Sequence, residues 1–425
     1  MTSRKLIDDC FVHDRDRLRH AEALALLKAR VSPVTGVETL PLAAAAGRIL
    51  AQPVAAKLPV PAHHNAAVDG YAFAHADLAG AANGRLPVSG RAAAGHPLAG
   101  PAVAGTTVRI FTGAVLPAGC DTVVMQEDVS LSGTSVEIPK GLKQGANVRR
   151  AGEDVGRGET LFQPGHIVRP QDLAALASVG LAEVDCFQRL SVAIVSTGDE
   201  VIRPGARDSR DLGEGEVYDA NAPMLGALVA SAGAQFTDLG VLPDKPDAIR
   251  AALAAAARQH HVILTSGGAS RGDEDHMVAA IDALGKRHLW QLAVKPGRPM
   301  SFGQIGNCVV VGLPGNPVAV FVCFLMYVWP LLRRLGGGDF PEPRRYKMRA
   351  TFDFTDRKPG RREFWRAMLV DTAEGLAVDK FKRDGSGLIS GLRAADGLID
   401  IPEEAGDIRT GDLVDFIPFS EFGIL

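Results

Sequence analysis

The chain has few cysteines, and no two of them stand in the Cys-x-x-Cys spacing typical of zinc or redox sites. An odd number of scattered cysteines does not suit a disulfide framework either, so we expect reduced thiols in a cytoplasmic protein. The formal net charge of −3 shows no basic excess, which nonspecific nucleic-acid binding normally needs. We therefore expect no nucleic-acid partner. The cysteines are Cys10, Cys120, Cys186, Cys308 and Cys323.

Long apolar segments are also scarce. Residues 1–10 contain no apolar core, so no secretion signal is expected. The apolar stretch 318–332 is interrupted by Pro330 and is shorter than the ~20 residues that a membrane span needs. We predict a buried helix, or a helix at a subunit interface, and no membrane partner.

Two apolar stretches end in glycine followed by acidic residues. The stretch 262–264 precedes Gly267, Gly268 and the acid-rich turn 273–275, and the stretch 191–195 precedes a turn with Gly198 and Glu200. In open α/β sheets ligands bind where the strands end. Glycine there lets backbone N–H groups approach a phosphate, and carboxylates can hold Mg²⁺. The pattern predicts a site for a phosphorylated ligand and a metal; the alternative is that the acids are simply solvated.

The segment between these stretches alternates between helical and strand patterns. Asn221 and Pro223 fit the cap and first turn of a helix that ends near Ser231. A strand at 236–241 and an alanine-rich helix at 248–259 follow. This alternation predicts a parallel sheet with helices on both faces.

The whole chain is predicted to be a multidomain α/β protein, because 425 residues exceed one compact core. Its central part is a doubly wound, three-layer α/β domain, and its second and C-terminal domains are β-rich. The predicted boundaries are 1–56 plus 149–188 for an N-terminal mixed α/β domain, 57–148 for the β-rich domain, 189–335 for the doubly wound domain, and 340–425 for the C-terminal β-domain.

Seven short motifs occur in a fixed order along nearly the whole chain. They are NAAVDGYA (65–72), RIFTGAVLPAGCDTVVMQED (109–128), NVRRAGEDV (147–155), STGDEV (196–201), TSGGASRGDEDH (265–276), KPGRP (295–299) and GLPGNP (312–317). In number and order they resemble the molybdopterin molybdenumtransferase family, known as MoeA in bacteria and as the E domain of gephyrin in animals.

The resemblance implies an activity and an assembly. Such enzymes insert molybdate into adenylated molybdopterin with release of AMP, and Mg²⁺ assists. The implied protein is a homodimer whose active cleft lies between the doubly wound domain of one subunit and the β-rich domain of the other. Other cofactor-synthesis proteins or molybdoenzymes are further expected partners.

The resemblance, together with the local chemistry, assigns three groups of site residues. Carboxylates after successive strands are expected to hold Mg²⁺: Glu200, Asp244 and Asp275. The residues expected to act in catalysis are Asp69, Thr112, Asp154, Lys295 and Arg298. The residues expected to bind the molybdopterin substrate or an oxyanion are Thr197, Gly198, Ser266, Gly267, Gly268, Pro314, Gly315, Asn316, Arg361 and Ser386.

Several positions depart from the family pattern, and three of them bear on the site. Arg298 stands where lysine is usual and keeps the charge with a different donor geometry. Ala319 replaces a common serine, so a hydroxyl donor is missing. His276 replaces a tyrosine; it could titrate near neutral pH or serve only in packing and hydrogen bonding. Lys295 and Arg298 together suit an oxyanion, although a pair of exposed surface cations would look the same.

Two other functions remain open at this stage. The chain could be a non-catalytic molybdopterin-binding scaffold or carrier of the same fold, but a scaffold need not keep the acidic residues of the motifs. It could also be a molybdopterin adenylyltransferase, which uses a domain similar to 189–335. The flanking domains argue against that alternative.

Overall fold

A computed structural model of the chain describes residues 17–206, 212–267 and 276–424. Of the predicted site residues, Gly268 and Asp275 lie outside these ranges. The remaining predicted site residues can all be placed.

The centre of the doubly wound domain is a six-stranded sheet. Its strands, in spatial order, are Gln235–Leu242, Ser191–Thr197, Val262–Ser266, Cys308–Leu313, Pro299–Ile305 and Lys286–Gln291. The first four are parallel, and Pro299–Ile305 runs antiparallel to both of its neighbours. The parallel strands therefore bring their carboxyl ends to one edge of the sheet, where the sequence predicts the site.

Helices cover both faces of this sheet. Val192 and Ile194 point to one face and pack with residues of the helix Asn221–Ser231 and of the long helix Pro317–Leu335. Ala193 and Val195 point to the other face, whose helices are Pro246–Gln259 and His276–Leu284. Alternate residues of one buried strand thus contribute to two cores, and the predicted three-layer doubly wound fold is confirmed.

The first helix of the described chain, His20–Arg30, also packs on this domain. Its Ala23 and Leu27 are buried in the same core as Val192 and Ile194. The predicted division assigns residues 1–56 to the N-terminal domain, but the buried face of this helix contributes to the doubly wound domain.

The helix Pro317–Leu335 is buried in this core along most of its length. Among the described residues it is the one helix apolar and long enough to cross a membrane, with a mean hydropathy of 1.7, but 89% of that apolar window is buried inside the protein. It is the predicted buried helix. Pro330 does not end it, because the preceding segment Phe324–Val328 winds as a π-helical turn and Pro330 lies in the first turn of Trp329–Leu335.

The C-terminal domain is a small barrel. Its strands follow the order Arg362–Thr372, Gly375–Lys380, Tyr346–Ala350, Leu413–Pro418 and Gly397–Ile401, and the last pairs with the first to close it. One short strand from the doubly wound domain, Val294–Lys295, joins the outside of Arg362–Thr372 in parallel. The barrel is further accompanied by the helix Ile389–Ala394 and the 3₁₀ turn Phe419–Phe422.

The β-rich domain contains a second six-stranded sheet. Its strands, in spatial order, are Thr122–Met125, Gly70–Phe73, Thr107–Ile110, Arg85–Ala92, Ser135–Glu137 and Ser130–Ser132. Short 3₁₀ turns connect them at His75–Ala79, Ala82–Gly84 and Gln126–Asp128. The recurring short alternating runs of this region are therefore strands, as predicted.

The N-terminal domain is built from paired short strands and one helix. The strand pairs are Val37–Pro41 with Glu183–Phe187, and Val54–Ala55 with Thr160–Phe162. The helix is Pro170–Ser178, with the predicted bounds, and Leu42–Ala44 forms a 3₁₀ turn. Two further pairs lie elsewhere: Asn65–Ala66 with Val148–Arg149, and Val201–Ile202 with Val217–Tyr218.

One local prediction is wrong. Asn221 does not cap its helix; it is already the first helical residue. The carboxylate of Asp219 accepts hydrogen bonds from the backbone N–H groups of Asn221 and Ala222, at 3.0 Å each. Asp219 therefore does the capping, which leaves the amide of Asn221 free for a different role.

Candidate active site

A cavity lies between the doubly wound domain and the barrel, beyond the ends of Val262–Ser266 and Cys308–Leu313. Its volume is about 550 Å³, which is ordinary for a small-molecule site. It brings together seven of the predicted site residues: Gly267, Lys295, Arg298, Pro314, Gly315, Asn316 and Ser386.

The KPGRP turn forms one wall. Lys295 lies opposite Glu363 in the parallel pairing with the barrel strand, and its ammonium is 3.4 Å from the carboxylate of Glu363. Gly297 has φ +109, and an added Cβ would lie 2.3 Å from the sulfur of Cys323 in the long helix. Glycine is required here, because the turn is pressed directly onto that helix. Arg298 is exposed at the cavity wall.

The GLPGNP loop forms a second wall and is anchored by two hydrogen bonds, to the carbonyls of Gly315 and Leu313. The amide of Asn221 donates to the hydroxyl of Ser266 at 2.6 Å and to the carbonyl of Gly315 at 2.7 Å. The N–H of Gly267 donates to the carbonyl of Leu313 at 3.1 Å. Ser266 thus supports the loop and does not itself line the cavity. The sequence assigns Asn221 only to a cap, and no local pattern identifies its role in the loop.

The barrel supplies the third wall, and most of its residues were not predicted. Arg366 donates to the carbonyls of Leu388 at 2.9 Å and Arg383 at 2.7 Å, and so fixes both ends of the loop around Ser386. The carbonyl of Ser386 accepts from the N–H of Val318, at the start of the long helix. Burial lowers the pKa of the Arg366 guanidinium, although an arginine remains protonated at ordinary pH.

Lys380 and Asp384 complete this wall. They form an ion pair of 2.6 Å, and the Lys380 ammonium also lies over the rings of Phe354 and Trp365. Among the described residues, the cavity is therefore lined by four cationic side chains and one carboxylate. Such a balance favours an anionic ligand.

Arg361, a predicted oxyanion ligand, is not among the residues that line the cavity. It precedes the strand Arg362–Thr372, and its Nε lies 3.9 Å from the carboxylate of Glu363. Arg366 of the same RREFWR motif lines the cavity instead. Two arginines so close in sequence are not separable by pattern alone, because the barrel decides which of them reaches the cavity.

The predicted metal ligands lie on neighbouring loops beside the cavity. Glu200 follows the strand Ser191–Thr197, and Asp244 follows the adjacent strand Gln235–Leu242. The two loops touch where the N–H of Asp244 donates to the carboxylate of Asp199 at 3.2 Å. No cluster of three or more potential ligands occurs within 17–206, 212–267 and 276–424.

Glycines at two of these strand ends leave room for neighbouring side chains. A Cβ on Gly198, at φ +129, would lie 2.6 Å from the Glu200 carboxylate, and one on Gly267 would lie 3.2 Å from the Thr197 hydroxyl. Glycine therefore lets the two strand ends approach. None of Thr197, Gly198, Glu200 or Asp244 lines the cavity itself.

Of the other predicted catalytic residues, Asp69 and Thr112 belong to the β-rich domain and Asp154 lies just beyond it. The backbone N–H and the hydroxyl of Thr112 both donate to one carboxylate oxygen of Asp69, at 2.8 and 2.7 Å. These two bonds hold the pKa of Asp69 below its usual range. Asp154 is exposed, and its N–H donates to the carbonyl of Val60. None of the three lines the cavity of the same chain. His276, at the start of its helix, also does not.

Family models match three consecutive parts of the chain. Residues 18–180 match the MoeA N-terminal region (domain I and II), residues 193–334 match a probable molybdopterin binding domain, and residues 347–419 match the MoeA C-terminal region (domain IV). Together they define a multidomain protein of the MoeA type.

Individual relatives agree along nearly the whole length. The chain is 36% identical to the molybdopterin molybdenumtransferase of Haemophilus influenzae, over 91% of this chain and 95% of the relative. It is 33% identical to molybdopterin molybdenumtransferase 2 of Mycobacterium tuberculosis, over 92% and 96%. The crystal structure of the molybdopterin biosynthesis MoeA protein from Pyrococcus horikoshii superposes with a TM-score of 0.80 at 29% identity, covering 95% of this chain and 99% of that one. The chain belongs to the molybdopterin molybdenumtransferase family.

Proposed function

We propose that this protein is a transferase of molybdenum cofactor biosynthesis that inserts molybdate into adenylated molybdopterin and releases AMP, with Mg²⁺ required. Family membership supports the place in cofactor synthesis. The cationic cavity supports the molybdate step, because molybdate is a small dianion and this cavity is lined mainly by cations.

The side chains around the cavity have separable roles. Lys295 and Arg298 approach from the KPGRP turn, and Arg366 approaches from the barrel. Three cations around one space can stabilise an oxyanion and the charge that builds on phosphate oxygens when a phosphoanhydride breaks. Ala319 contributes only a methyl group to the cavity lining, so donors to the oxyanion must come from other residues of the cavity.

The strand-end loops fit a magnesium site by their chemistry. Glu200 and Asp244 are carboxylates on touching loops, and Mg²⁺ usually takes one or two carboxylates together with waters and substrate phosphates. They are the described residues that would hold the ion. When bound, Mg²⁺ neutralises charge on the phosphate oxygens of the substrate.

The group around Asp69 supports a site shared between two subunits. Its carboxylate is oriented by two hydrogen bonds from Thr112, which also lower its pKa, so it stays ionised and can accept further hydrogen bonds. Since it does not line its own chain's cavity, we assign it to the cleft of a partner copy in a homodimer.

The decisive experiment measures AMP release from adenylated molybdopterin and Mg²⁺, with and without molybdate. We expect release that depends on molybdate and is coupled to formation of active cofactor. Tight binding of the adenylate without release would instead favour the scaffold alternative.

A variant pair makes the assignment of the cavity specific. Lys295→Ala should raise the molybdate concentration needed for half-maximal release by roughly tenfold or more, since a charged contact is worth ~1.5–3 kcal/mol. Lys347→Ala is the matched control, because Lys347 is an exposed lysine of the barrel paired with Asp415 and does not line the cavity. If Lys295→Ala altered only the affinity for the pterin substrate, the oxyanion role would be wrong.

A further inference from the structure

We propose that Glu363 is a positioning residue, which holds the ammonium of Lys295 at a fixed place in the cavity wall. The proposal deepens the function proposed above and rests on it for the identity of the anion. The carboxylate of Glu363 does not itself line the cavity.

The contact between the two residues is built by the backbone. Lys295 and Glu363 lie opposite each other in the parallel pairing of Val294–Lys295 with Arg362–Thr372. Their charged groups are 3.4 Å apart, with the lysine side chain 42% exposed and the glutamate side chain 4% exposed. The lysine therefore reaches from the solvent-accessible cavity toward a carboxylate that is buried behind it.

Glu363 is itself held from the other side. The indole N–H of Trp365 donates to the same carboxylate oxygen that pairs with Lys295, at 3.0 Å. The other oxygen lies 3.9 Å from Nε of the fully buried Arg357. Arg357 is in turn fixed by its donations to the carbonyls of Arg361 and Pro402.

These contacts determine that the position of the Lys295 ammonium depends on the Glu363 carboxylate, and not the reverse. The carboxylate is less free to move than the lysine, because it is buried and accepts the indole N–H of Trp365. Lys295 is flexible and half exposed, so its ammonium must settle where the carboxylate is. An anion entering the cavity then meets a cation whose position is already set, which reduces the ordering cost of binding.

A simpler role must be distinguished from this one. Glu363 could serve only to neutralise the buried Arg357, in which case its loss would weaken the barrel and act on every ligand. A positioning role acts through Lys295 alone. The two roles therefore differ in whether the effect of changing Glu363 depends on the presence of Lys295.

The test is a double-mutant cycle with Glu363→Gln, Lys295→Ala and the double variant. Glutamine keeps an oxygen for the Trp365 N–H and removes the charge that attracts the lysine. Equilibrium binding of molybdate is measured by calorimetry on the full chain, and the KM values for molybdate and adenylated molybdopterin are measured by AMP release.

We expect Glu363→Gln to weaken molybdate binding by about tenfold, within the range for residues in direct contact. The KM for adenylated molybdopterin should change by less than about twofold, and in the Lys295→Ala background the glutamine should have no further effect on molybdate. Equal losses in both backgrounds, or tighter binding by Glu363→Gln, would overturn the proposal.

Trp365→Phe provides a second variant in case Glu363→Gln fails to fold. It removes the N–H that fixes the carboxylate and keeps an aromatic ring for Lys380. A loss of molybdate affinity that disappears in the Lys295→Ala background supports positioning, and a loss independent of Lys295 contradicts it. If the unaltered protein binds molybdate without releasing AMP, the proposed function fails while the binding cycle still decides the role of Glu363. No binding at all would overturn both.

Discussion

A buried histidine should make the protein less stable as the pH falls below neutrality. His20, in the first helix, is only 3% exposed. Its Nδ1 shares a hydrogen bond of 2.9 Å with the hydroxyl of Tyr327, and its Nε2 has no hydrogen-bond partner among the described residues. The ring packs edge-on against Tyr327 and Phe364.

The surroundings of His20 favour the neutral ring. Burial lowers its pKa from 6.5 to about 4, and the charge of Arg362 adds to this, while Asp400 acts in the opposite direction. The unfolded chain therefore binds a proton more tightly than the folded one. Stability is present above pH 6.5 and is lost as the pH falls toward 4, by ~3 kcal/mol in all and by about 2 kcal/mol between pH 7 and pH 5.

The assay compares the unaltered protein with His20→Gln, which cannot titrate. The free energy of unfolding of the doubly wound domain is measured in denaturant at pH 7 and at pH 5. Burial also lowers the pKa of His261, but that contribution is common to both proteins and cancels in the comparison. An equal loss of stability in the two proteins would show that His20 is not held neutral by its surroundings, whatever their absolute stabilities.

Two further substitutions test the walls of the cavity. Gly297→Ala should lower the free energy of unfolding by ~2 kcal/mol or more in denaturant titrations, because it combines a positive φ with a clash against Cys323. Gly406→Ala is the control: this position has no positive φ and open space around it, so the free energy of unfolding should change little. Arg366→Lys keeps the charge but cannot bridge the carbonyls of Leu388 and Arg383. Backbone hydrogen exchange in 383–388 should therefore become faster, and the KM for molybdate should rise roughly tenfold or more. Unchanged exchange in that segment would refute the bridging role.

Local patterns predict the helices and strands of the N-terminal and doubly wound domains well, because each depends on short-range periodicity. The helix Pro170–Ser178 begins with proline and has apolar residues at helical spacing, and its bounds are as predicted. The strands Ser191–Thr197 and Val262–Ser266 are longer than their apolar cores by two residues each, since polar Ser and Thr at their ends still pair in the sheet.

The cavity was only partly predictable, for a different reason. Residues on strand-end loops were identified because glycine and proline mark such loops in the sequence. Arg366 lies within the strand Arg362–Thr372, and Lys380 is the last residue of the strand Gly375–Lys380. From sequence alone, a charged residue in a strand is expected to face solvent. Their orientation toward the cavity depends on how the barrel closes against the doubly wound domain, and no local pattern records that packing. The same applies to Asn221, whose partner Gly315 is far away in sequence.

The short strand Val294–Lys295 connects the two sides of the cavity, the doubly wound domain and the barrel, by backbone pairing. Through it the doubly wound domain and the barrel share a main-chain ladder, extended by the bond from the N–H of Arg362 to the carbonyl of Ala293. A hinge between these domains would have to break that ladder. We therefore expect the cavity to take up its ligand while its two walls keep their relative position.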